Sequence, residues 1–560
     1  MIGLNKIGLN QVQLNRLRLN APFPTCRKMA GGGGSSDGFP QLPGDVTRWY
    51  FGGLTNEMMA AMDDPRIEDA DGKGRFLSFK NFAWKEGSGI SDVYPGALVF
   101  DGVDDWAGCD NLPLLPKEKG YSIIALRNWI TRYDATQYKR PLISNLDTND
   151  EGAFLIEYRK DENVNDVTGS YNSFTDVYID DNNPITWQTS SSYNGQIIKK
   201  GTSKPSNKLC ICKTYFSKNS RYANAAIWEL VILDHDATEE ELTKIKDYFV
   251  KTYPWLFPDQ AWTVTGKTNE DEDRATIANI TGNGNNLVLS NFGFAEGSGY
   301  GLYKTPFELY PSVQHSSKYS LSFSKFALGD HNLIIAPKQN DLSYDIKVKV
   351  TGLKDGVKFK WGWIGTTGYI DITTDGIHML NKPASQIRQL IVEFAEDFDP
   401  DHVVTIEQIP EYEGYLITDG VDDKITSSTF EMGNDWTVIG DWELINTGKN
   451  DNAGIVKFNS IVIYNYNPIL INIKNGRNNL IPDQNTVNAI CSDGRIYSKD
   501  WKESIYNEET ESTSKNLLTI GYSGNSYTKI AFKNLAIYPT ILSKEDCIKA
   551  YNYLQTLKAK

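Results

Sequence analysis

The pentapeptide DGVDD occurs twice in this chain, at residues 101–105 and again at residues 419–423. Each copy follows a short β-type run, Ala97–Phe100 in the first case and Tyr415–Thr418 in the second. A β-type run that ends in a turn of Asp and Gly is typical of a strand that enters a tight turn. Because the neighbouring residues are similar as well, the sequence predicts a structural unit that is built twice.

A glycine-rich stretch with the pattern GxG…L…NF…EGSG precedes each copy of DGVDD, at residues 72–89 and 282–299. The offset between the two stretches is 210 residues throughout. Apolar residues alternate with polar ones at Leu77 and Phe79 of the first stretch, which predicts a strand with one buried face. The stretch is therefore a second landmark of the repeated unit.

A strand followed by a capped helix closes each unit. In the first copy, the apolar run Ala226–Leu233 leads to Thr238–Glu241, a capping-box pattern that predicts the start of a helix. In the second copy, Ala531–Tyr538 leads to Ser543–Asp546 at an offset of 305 residues. Three landmarks in the same order indicate an internal duplication.

The offsets also locate an insertion in the second copy. The offset grows from 210 at EGSG to 318 at DGVDD, so about 108 additional residues lie between these landmarks. Alternating β-type runs at 345–350, 357–361 and 403–407 are separated by turn signals. We therefore predict an independently folded β-sandwich at residues 302–411.

Composition sets the class of protein. A chain of 560 residues is too long for one core, and its 30 Tyr, 23 Phe and 13 Trp with 46 Gly favour β structure with many turns. The sequence lacks an apolar run long enough for a transmembrane helix and a secretory signal pattern, so neither is expected. The net charge of −14 argues against general nucleic-acid binding.

The first 30 residues differ from the remainder of the chain. They hold five Lys and Arg residues and no acid, and Leu-Asn recurs in them with a period of five residues. A flexible Gly/Ser linker follows at residues 31–38. Two interpretations remain open: a disordered tail, or an arm that becomes ordered on a partner. The residues predicted to anchor such an arm are Leu4, Leu9, Leu14, Leu19, Arg16 and Arg18.

The repeated unit resembles the laminin-G-like members of the concanavalin-A-like lectin superfamily. The resemblance rests on Leu98–Asp105 with Ala226–Tyr248, and on Leu416–Asp423 with Ala531–Tyr553. It implies a mainly β chain with two concanavalin-A-like jelly-roll sandwiches, each closed by a short capped helix. The implied boundaries are 39–257 for the first jelly roll and 262–301 plus 412–560 for the second. The smaller sandwich inserted at 302–411 looks like a carbohydrate-binding module.

The layout of arm, linker and lectin-like domains is similar to fibre or appendage proteins of tailed bacteriophages, including crAss-like phages. This resemblance implies a virion protein, a head fibre or capsid decoration, that is anchored to other virion proteins by residues 1–30. It also implies a homo-oligomer that attaches to host or mucosal glycans. Two alternatives are a cell-surface glycan-binding protein without a particle and a glycoside hydrolase.

Two kinds of non-catalytic site have candidate residues. The DGVDD loops contain clustered carboxylates, with Asp101, Asp104, Asp419 and Asp422 as candidate calcium ligands, although such residues equally cap a tight turn. No other cofactor is expected. In the insertion, Trp361, Trp363 and Tyr369 flank a Gly-rich turn, where exposed rings would stack on a sugar and buried rings would be core.

Catalysis has little support in the sequence, and we predict that the chain is not an enzyme. Glycoside hydrolysis needs two carboxylates across a cleft, and the pattern Glu-x-Asp-x-x-Glu is absent from the predicted strands. The acidic runs at 239–241 and 270–273 are typical of a helix start and a solvated loop. We also predict that Trp129 and Trp442 are core residues and that the six cysteines are buried free thiols.

Overall fold

The computed structural model describes these residues: 38–115, 120–131, 139–147, 154–159, 176–177, 184–189, 192–193, 196–197, 206–218, 221–295, 297–302, 319–324, 344–354, 357–363, 370–382, 388–394, 399, 401–445, 454–458, 461–464, 470–473, 477–480, 487–505, 517–523 and 526–559. Contacts divide the chain into two compact units. The first unit is Met1–Pro258 with Glu545–Thr556, and the second is Asp259–Lys544 with Leu557–Lys560.

The first unit is a β-sandwich with helices. Its strands are β1 (Val46–Tyr50), β2 (Arg66–Glu68), β3 (Phe76–Lys80), β4 (Gly89–Ile90), β5 (Leu98–Asp101), β6 (Trp106–Cys109), β7 (Ser122–Thr131), β8 (Lys139–Ser144), β9 (Leu155–Arg159), β10 (Asp176–Val177), β11 (Ile185–Thr189), β12 (Ser192–Tyr193), β13 (Gln196–Ile197), β14 (Leu209–Ile211) and β15 (Asn224–Leu233). Its helices are α1 (Asn56–Ala60), α2 (Glu239–Thr252) and α3 (Lys544–Thr556), and a 3-10 turn lies at Pro254–Leu256. The part of α3 from Glu545 onward belongs to this unit.

Two sheets form this sandwich. One has the strand order β13-β12-β11-β7-β15-β5-β4, with β1 also paired to β15, and the other has the order β10-β9-β8-β14-β6-β3-β2. Strand alternation places apolar side chains from both sheets in one core, which includes Leu77, Phe100, Ile123, Ile211 and Leu230.

The second unit contains the second sandwich and the insertion. Its strands are β16 (Gln260–Thr263), β17 (Thr276–Ile277), β18 (Leu287–Ser290), β19 (Gly299–Tyr300), β20 (Ser320–Phe323), β21 (Tyr344–Thr351), β22 (Val357–Trp363), β23 (Ile370–Ile372), β24 (Gly376–Lys382), β25 (Arg388–Phe394), β26 (Val404–Gln408), β27 (Leu416–Ile417), β28 (Lys424–Ser427), β29 (Thr437–Leu444), β30 (Gly454–Phe458), β31 (Ile461–Tyr464), β32 (Leu470–Ile473), β33 (Arg477–Leu480), β34 (Val487–Cys491), β35 (Arg495–Ser498), β36 (Glu503–Ile505), β37 (Leu518–Ile520), β38 (Tyr522–Ser523), β39 (Ser526–Tyr527) and β40 (Ile530–Tyr538).

The second sandwich repeats the strand neighbours of the first. Its sheets have the orders β19-β27-β40-β29-β34-β35-β36, with β16 paired to β40, and β17-β18-β28-β37-β30-β31-β32-β33. The long strand β15 pairs with β1, β5 and β7, and its counterpart β40 pairs with β16, β27 and β29. The predicted fold class, mainly β with two similar sandwiches, is confirmed.

The insertion forms two small sheets with their own core. Four strands have the order β20-β26-β21-β24, and three have the order β23-β22-β25. Alternating apolar residues such as Val348, Val350, Phe359 and Ile406 are buried between them. A smaller inserted β-sandwich was predicted and is confirmed, while the domain boundaries given above stay predictions.

The helix α2 begins as its sequence predicts. The Thr238 hydroxyl accepts a hydrogen bond from the backbone N–H of Glu241 at 3.2 Å, and the Glu241 carboxylate accepts one from the backbone N–H of Thr238 at 2.8 Å. This reciprocal pair is the capping box, which satisfies two donors that a helix start would leave unpaired. The capping prediction is confirmed.

The C-terminal helix α3 belongs to the first unit by its contacts, although the sequence offsets pair it with the second copy. It buries Cys547, Ala550, Tyr553 and Leu554. The Tyr553 ring meets the ring of Trp228 on β15 edge to face, with 6.3 Å between centroids. The helix therefore covers part of the sheet that contains β15.

The tryptophans and cysteines that were predicted to be buried are buried wherever the structure describes them. Trp129 and Trp442 are 6% and 2% exposed, which confirms them as core residues. The cysteines that the structure describes are free and buried, namely Cys109, Cys210, Cys212, Cys491 and Cys547, and Cys26 lies outside the described residues. Among the helices that the structure describes, none combines the length and the apolar composition needed to span a bilayer.

Candidate functional site

Each DGVDD segment is a turn held by its own first aspartate. One carboxylate oxygen of Asp101 accepts hydrogen bonds from the backbone N–H groups of Val103, Asp104 and Asp105 at 2.8, 3.2 and 3.2 Å. Asp419 makes the same three bonds in the second copy, at 2.8, 3.2 and 3.3 Å. Gly102 has a φ of 78°, which favours glycine over residues with a side chain.

The two duplicated landmarks contact each other. The Asn81 side chain, from the NF…EGSG stretch, donates a hydrogen bond to the Asp104 carbonyl oxygen at 3.0 Å. Asn291 and Asp422 form the same bond at 3.0 Å in the second copy. The repeated hydrogen bond joins the two motifs in each copy, which is a structural role.

Carboxylates do cluster in both turns. The three aspartates of each loop place carboxylate oxygens within 4.8 Å of one another, in the sets Asp101, Asp104, Asp105 and Asp419, Asp422, Asp423. The hydrogen bonds of the first aspartate already explain why the residues converge. An acidic cluster alone does not identify a cation site, so calcium binding by these loops stays a prediction.

The last aspartate of each turn is buried and has a raised pKa. Asp105 and Asp423 are both fully shielded from solvent. Burial disfavours the charged form and raises the pKa of each carboxyl to about 6. In the folded protein these groups therefore hold protons that the unfolded chain releases near pH 4.

The double variant Asp105→Asn with Asp423→Asn is expected to change how stability depends on pH. Since the folded pKa values are raised, these two groups stabilise the fold below about pH 4 and lose that contribution as the pH rises through 6. The contribution is about 1–2 kcal/mol per carboxyl, so the decrease in unfolding free energy between pH 4.5 and 7.5 should shrink by about 2–4 kcal/mol in the variant.

Denaturant titrations at the two pH values measure this difference. The double variant Asp104→Asn with Asp422→Asn changes the exposed neighbours and serves as the matched control. It should keep most of the wild-type pH dependence, because burial is the largest cause of the raised pKa values and the charges of Asp104 and Asp422 add less. Equal pH dependence in the wild type and in the Asp105/Asp423 variant would contradict the assignment of raised pKa values.

A groove lies on the outer face of the first unit's sheet that contains β3 and β6. Leu77 and Phe79 of β3 point into the core, so Phe76, Ser78 and Lys80 point outward. The groove has a volume of about 290 Å³. Its lining residues are Arg66, Phe76, Ser78, Lys80, Trp106, Gly108, Asp110, Asn111 and Phe216.

Three aromatic side chains give the groove its walls. The rings of Trp106 and Phe216 meet edge to face with 5.5 Å between centroids. Phe216 comes from the segment after β14, which is fixed on the sheet because the backbone N–H of Phe216 donates to the Leu146 carbonyl oxygen at 2.9 Å. The ring of Phe76 stands apart from this pair, and that residue is 37% exposed.

Gly108 lets two of the rings pack close to the sheet. A Cβ atom at this position would lie 2.6 Å from the Trp106 ring and 2.9 Å from the Phe216 ring. Both distances are shorter than a carbon–carbon contact allows, so any side chain here would displace the rings. Glycine is required by this close approach.

Cationic groups surround the aromatic rings. The guanidinium carbon of Arg66 lies 4.8 Å from the centroid of Phe76. The ammonium groups of Lys213 and Lys208 lie 3.9 Å and 5.0 Å from the centroids of Trp106 and Phe216. Burial lowers the pKa of Lys213. These distances are within the range of cation–π attraction.

The second unit has the same strands without the same side chains. The register Ser78↔Gly108 between β3 and β6 corresponds to Val288↔Thr426 between β18 and β28. With the offsets of 210 and 318, every outward position differs between the copies. Arg66, Phe76, Ser78, Lys80, Trp106 and Gly108 correspond to Thr276, Asn286, Val288, Ser290, Lys424 and Thr426.

Of the three glycan candidates in the insertion, the structure describes the side chain of Trp361, which takes the core alternative. Trp361 is 2% exposed and donates from its ring N–H to the Asn381 carbonyl oxygen at 3.0 Å, so it is a core residue. We therefore remove it from the candidate glycan site. The backbone of Trp363 is in β22, but its side chain lies outside the described residues, as does Tyr369. The anchor candidates Leu4, Leu9, Leu14, Leu19, Arg16 and Arg18 also lie outside them.

The groove was not among the sites predicted from the sequence. A signal was present in the sequence. The residue directly after DGVDD is aromatic in the first copy, Trp106, and cationic in the second copy, Lys424. Positions that both copies share serve the fold, whereas outward positions that differ point to a role that one copy performs alone.

No protein-family model and no curated protein matches this chain. Among solved structures, one of botulinum neurotoxin type C, whose cell entry depends on interaction with two ganglioside molecules, is 11% identical and covers 85% of this chain and 95% of its own, with a TM-score of 0.24. The botulinum neurotoxin serotype G binding domain is 12% identical, covering 65% of this chain and 86% of its own, with a TM-score of 0.21.

A tandem CBM22 domain from Xyn10C of Paenibacillus barcinonensis is 10% identical over 66% of this chain and 97% of its own, with a TM-score of 0.13. TM-scores this low support no conclusion about this chain. Its fold and its candidate site rest on its own sheets and side chains.

Proposed function

We propose that the first unit binds a carbohydrate in the groove lined by Phe76, Trp106 and Phe216. The observation that supports this most is a groove with aromatic walls on an outward sheet face, in which Gly108 allows the rings of Trp106 and Phe216 to pack close to the backbone. Sugars present apolar C–H faces and polar hydroxyl edges. Aromatic rings beside Ser78, Asn111 and charged side chains offer contacts for both.

The lining favours binding over hydrolysis. Among the described residues that line the groove, Asp110 is the single carboxylate. A glycosidase of the usual type needs a pair of carboxyl groups on opposite sides of the scissile bond. A binding site needs no such pair, so the groove is best understood as a lectin site.

Gly108→Thr is expected to weaken glycan binding at least about tenfold, which corresponds to ~1.4 kcal/mol. The variant introduces the residue that the second copy carries at Thr426, and its side chain collides with the rings of Trp106 and Phe216. Trp106→Ala should also weaken glycan binding, because it removes one wall of the groove.

A glycan array with the full chain identifies the ligand, and titration calorimetry with that ligand measures the loss. The matched control is Thr426→Gly, the reverse exchange at the equivalent position of the second unit, which should leave binding unchanged. An array without any bound glycan, or equal binding by wild type and Gly108→Thr, would refute the proposal.

The biological setting that we propose is a virion, with the chain as a fibre or head or tail appendage that displays this lectin unit. The support comes from the Leu-Asn repeat, the basic charge of residues 1–30 and the Gly/Ser linker after them. Removal of residues 1–36 should then prevent incorporation into particles while glycan binding persists. Incorporation of the truncated chain at wild-type levels would rule out the arm as an anchor.

A further inference from the structure

The groove of the first unit is more cationic than the chain as a whole. Arg66 and Lys80 line it, and the ammonium groups of Lys208 and Lys213 lie over two of its three aromatic rings. The complete chain has a net charge of −14. A concentration of positive charge on an acidic protein indicates that the ligand itself supplies negative charge.

The acids near the groove neutralise this charge only in part. Asp64 lies 3.7 Å from the guanidinium of Arg66 and 3.4 Å from the ammonium of Lys80, with its side chain 54% exposed. Exposed ion pairs of this kind contribute little free energy, so a ligand anion can replace them at low cost. Asp110 is the acid in the lining itself. Glu68 shares the outward face of β2 with Arg66, and its carboxylate accepts a hydrogen bond from the backbone N–H of Gly74 at 3.1 Å.

The geometry of Arg66 suits an oxyanion. Its guanidinium lies over the ring of Phe76, with 4.8 Å between the guanidinium carbon and the ring centroid. The contact with the ring holds the planar group beside the groove, and its N–H groups can pair with a carboxylate or a sulfate through two parallel hydrogen bonds.

The second unit supplies an internal comparison. Thr276 and Ser290 stand where the first unit has Arg66 and Lys80. The two lining cations are therefore present in the copy that also has the aromatic walls and Gly108. Cations and rings occur together in one unit, as expected if they recognise a single ligand.

We propose that the ligand of this groove is an anionic saccharide, with a carboxylate or a sulfate bound by Arg66 and Lys80 and the sugar ring against Trp106 and Phe216. This inference rests on the glycan-binding function proposed above. The volume of about 290 Å³ is at the small end of ligand pockets, which fits a short segment of a polysaccharide.

Binding is tested with matched pairs of oligosaccharides and the full chain. One pair is oligogalacturonate and its carboxyl-reduced, neutral form, and the other is a sulfated oligosaccharide and its desulfated form. The wild type should bind at least one anionic member about tenfold or more tightly than its neutral partner. Binding should weaken as the salt concentration rises.

Charge variants identify the residues. Arg66→Gln and Lys80→Gln should each reduce binding of the anionic member about tenfold and leave the weak binding of the neutral member unchanged. Lys80→Arg keeps the charge and should retain the anionic preference, which separates charge from folding. Arg66→Lys keeps the charge but loses the planar pair of hydrogen bonds, so its anionic preference should lie between those of the wild type and Arg66→Gln. Lys424→Gln, at the second unit's counterpart of Trp106, should have no effect.

The outcomes separate this inference from the function on which it rests. Equal binding of the charged and neutral members would overturn the anionic ligand and leave glycan binding in place. Absence of binding to every saccharide would overturn both. Binding of a polyglutamate peptide as tightly as the anionic saccharide would overturn the assignment to a sugar.

Discussion

Glu229→Gln is expected to lower the stability of the first unit by about 3–5 kcal/mol, since it leaves Arg48 buried without its charge partner. Arg48 and Glu229 are 3% and 0% exposed, and their charged groups lie 3.0 Å apart. Breaking a buried pair by removing one charge is costly because the remaining ion cannot return to water.

Tyrosine hydroxyls complete this buried network between β1, β15 and α2. Arg48 donates to the Tyr248 hydroxyl at 3.0 Å, and the Tyr253 hydroxyl donates to the Glu229 carboxylate at 2.9 Å. Burial is the largest cause of the raised pKa of Tyr253, and the negative charge of Glu229 raises the pKa further. The hydroxyl therefore stays protonated and continues to donate at neutral pH.

The second unit indicates the control for this experiment. Ala261 and Asn534 stand at the positions of Arg48 and Glu229, so that copy uses a neutral pair. The double variant Arg48→Ala with Glu229→Asn should therefore cost less than Glu229→Gln alone. Calorimetry and denaturant unfolding of the full chain measure both. A loss of unfolding free energy below about 1 kcal/mol for Glu229→Gln would show that buried Arg48 does not need the charge of Glu229.

Tyr553→Ala is expected to cost about 3–5 kcal/mol, as other removals of large buried rings do, and the loss should appear in the first unit. Tyr553 is 7% exposed and packs on Trp228 of β15. On the same helix, Lys549 places its ammonium 4.5 Å from the centroid of Trp255. The C-terminal helix thus stabilises a sandwich that begins about 500 residues earlier in the chain.

Hydrogen exchange with mass spectrometry locates this loss. Peptides from β15 should exchange faster in Tyr553→Ala than in the wild type, whereas Lys558→Ala, an exposed neighbour, should leave exchange unchanged. Faster exchange restricted to β40, the strand before the helix in sequence, would contradict the placement of α3 in the first unit.

The duplication was predictable because the repeated residues stabilise local structure. Asp101 caps its own turn, Asn81 bonds to that turn, and Thr238 with Glu241 starts a helix. Each interaction spans few residues or joins two motifs that recur together, so the sequence shows it directly. Alternating apolar residues such as Leu77 and Phe79 similarly identify strands and their buried face.

The candidate site was harder to predict because its residues come from distant segments. Phe216 reaches Trp106 only because β14 pairs with β6 and the next segment folds back over the sheet. Trp361, which looked like a sugar platform, is buried because two small sheets close over it. A ring in a strand can face either the core or the solvent, and the pattern at Trp361 does not decide which.

By itself the sequence determined that this chain is mainly β, that one sandwich is repeated, and that another is inserted into the second copy. These conclusions follow from short-range patterns, since turns, caps and strand alternation depend on neighbouring residues. Only the tertiary structure decided that α3 packs in the first unit and that Phe76, Trp106 and Phe216 converge around Gly108. Those contacts depend on long-range strand pairing, which brings together residues that no local pattern connects.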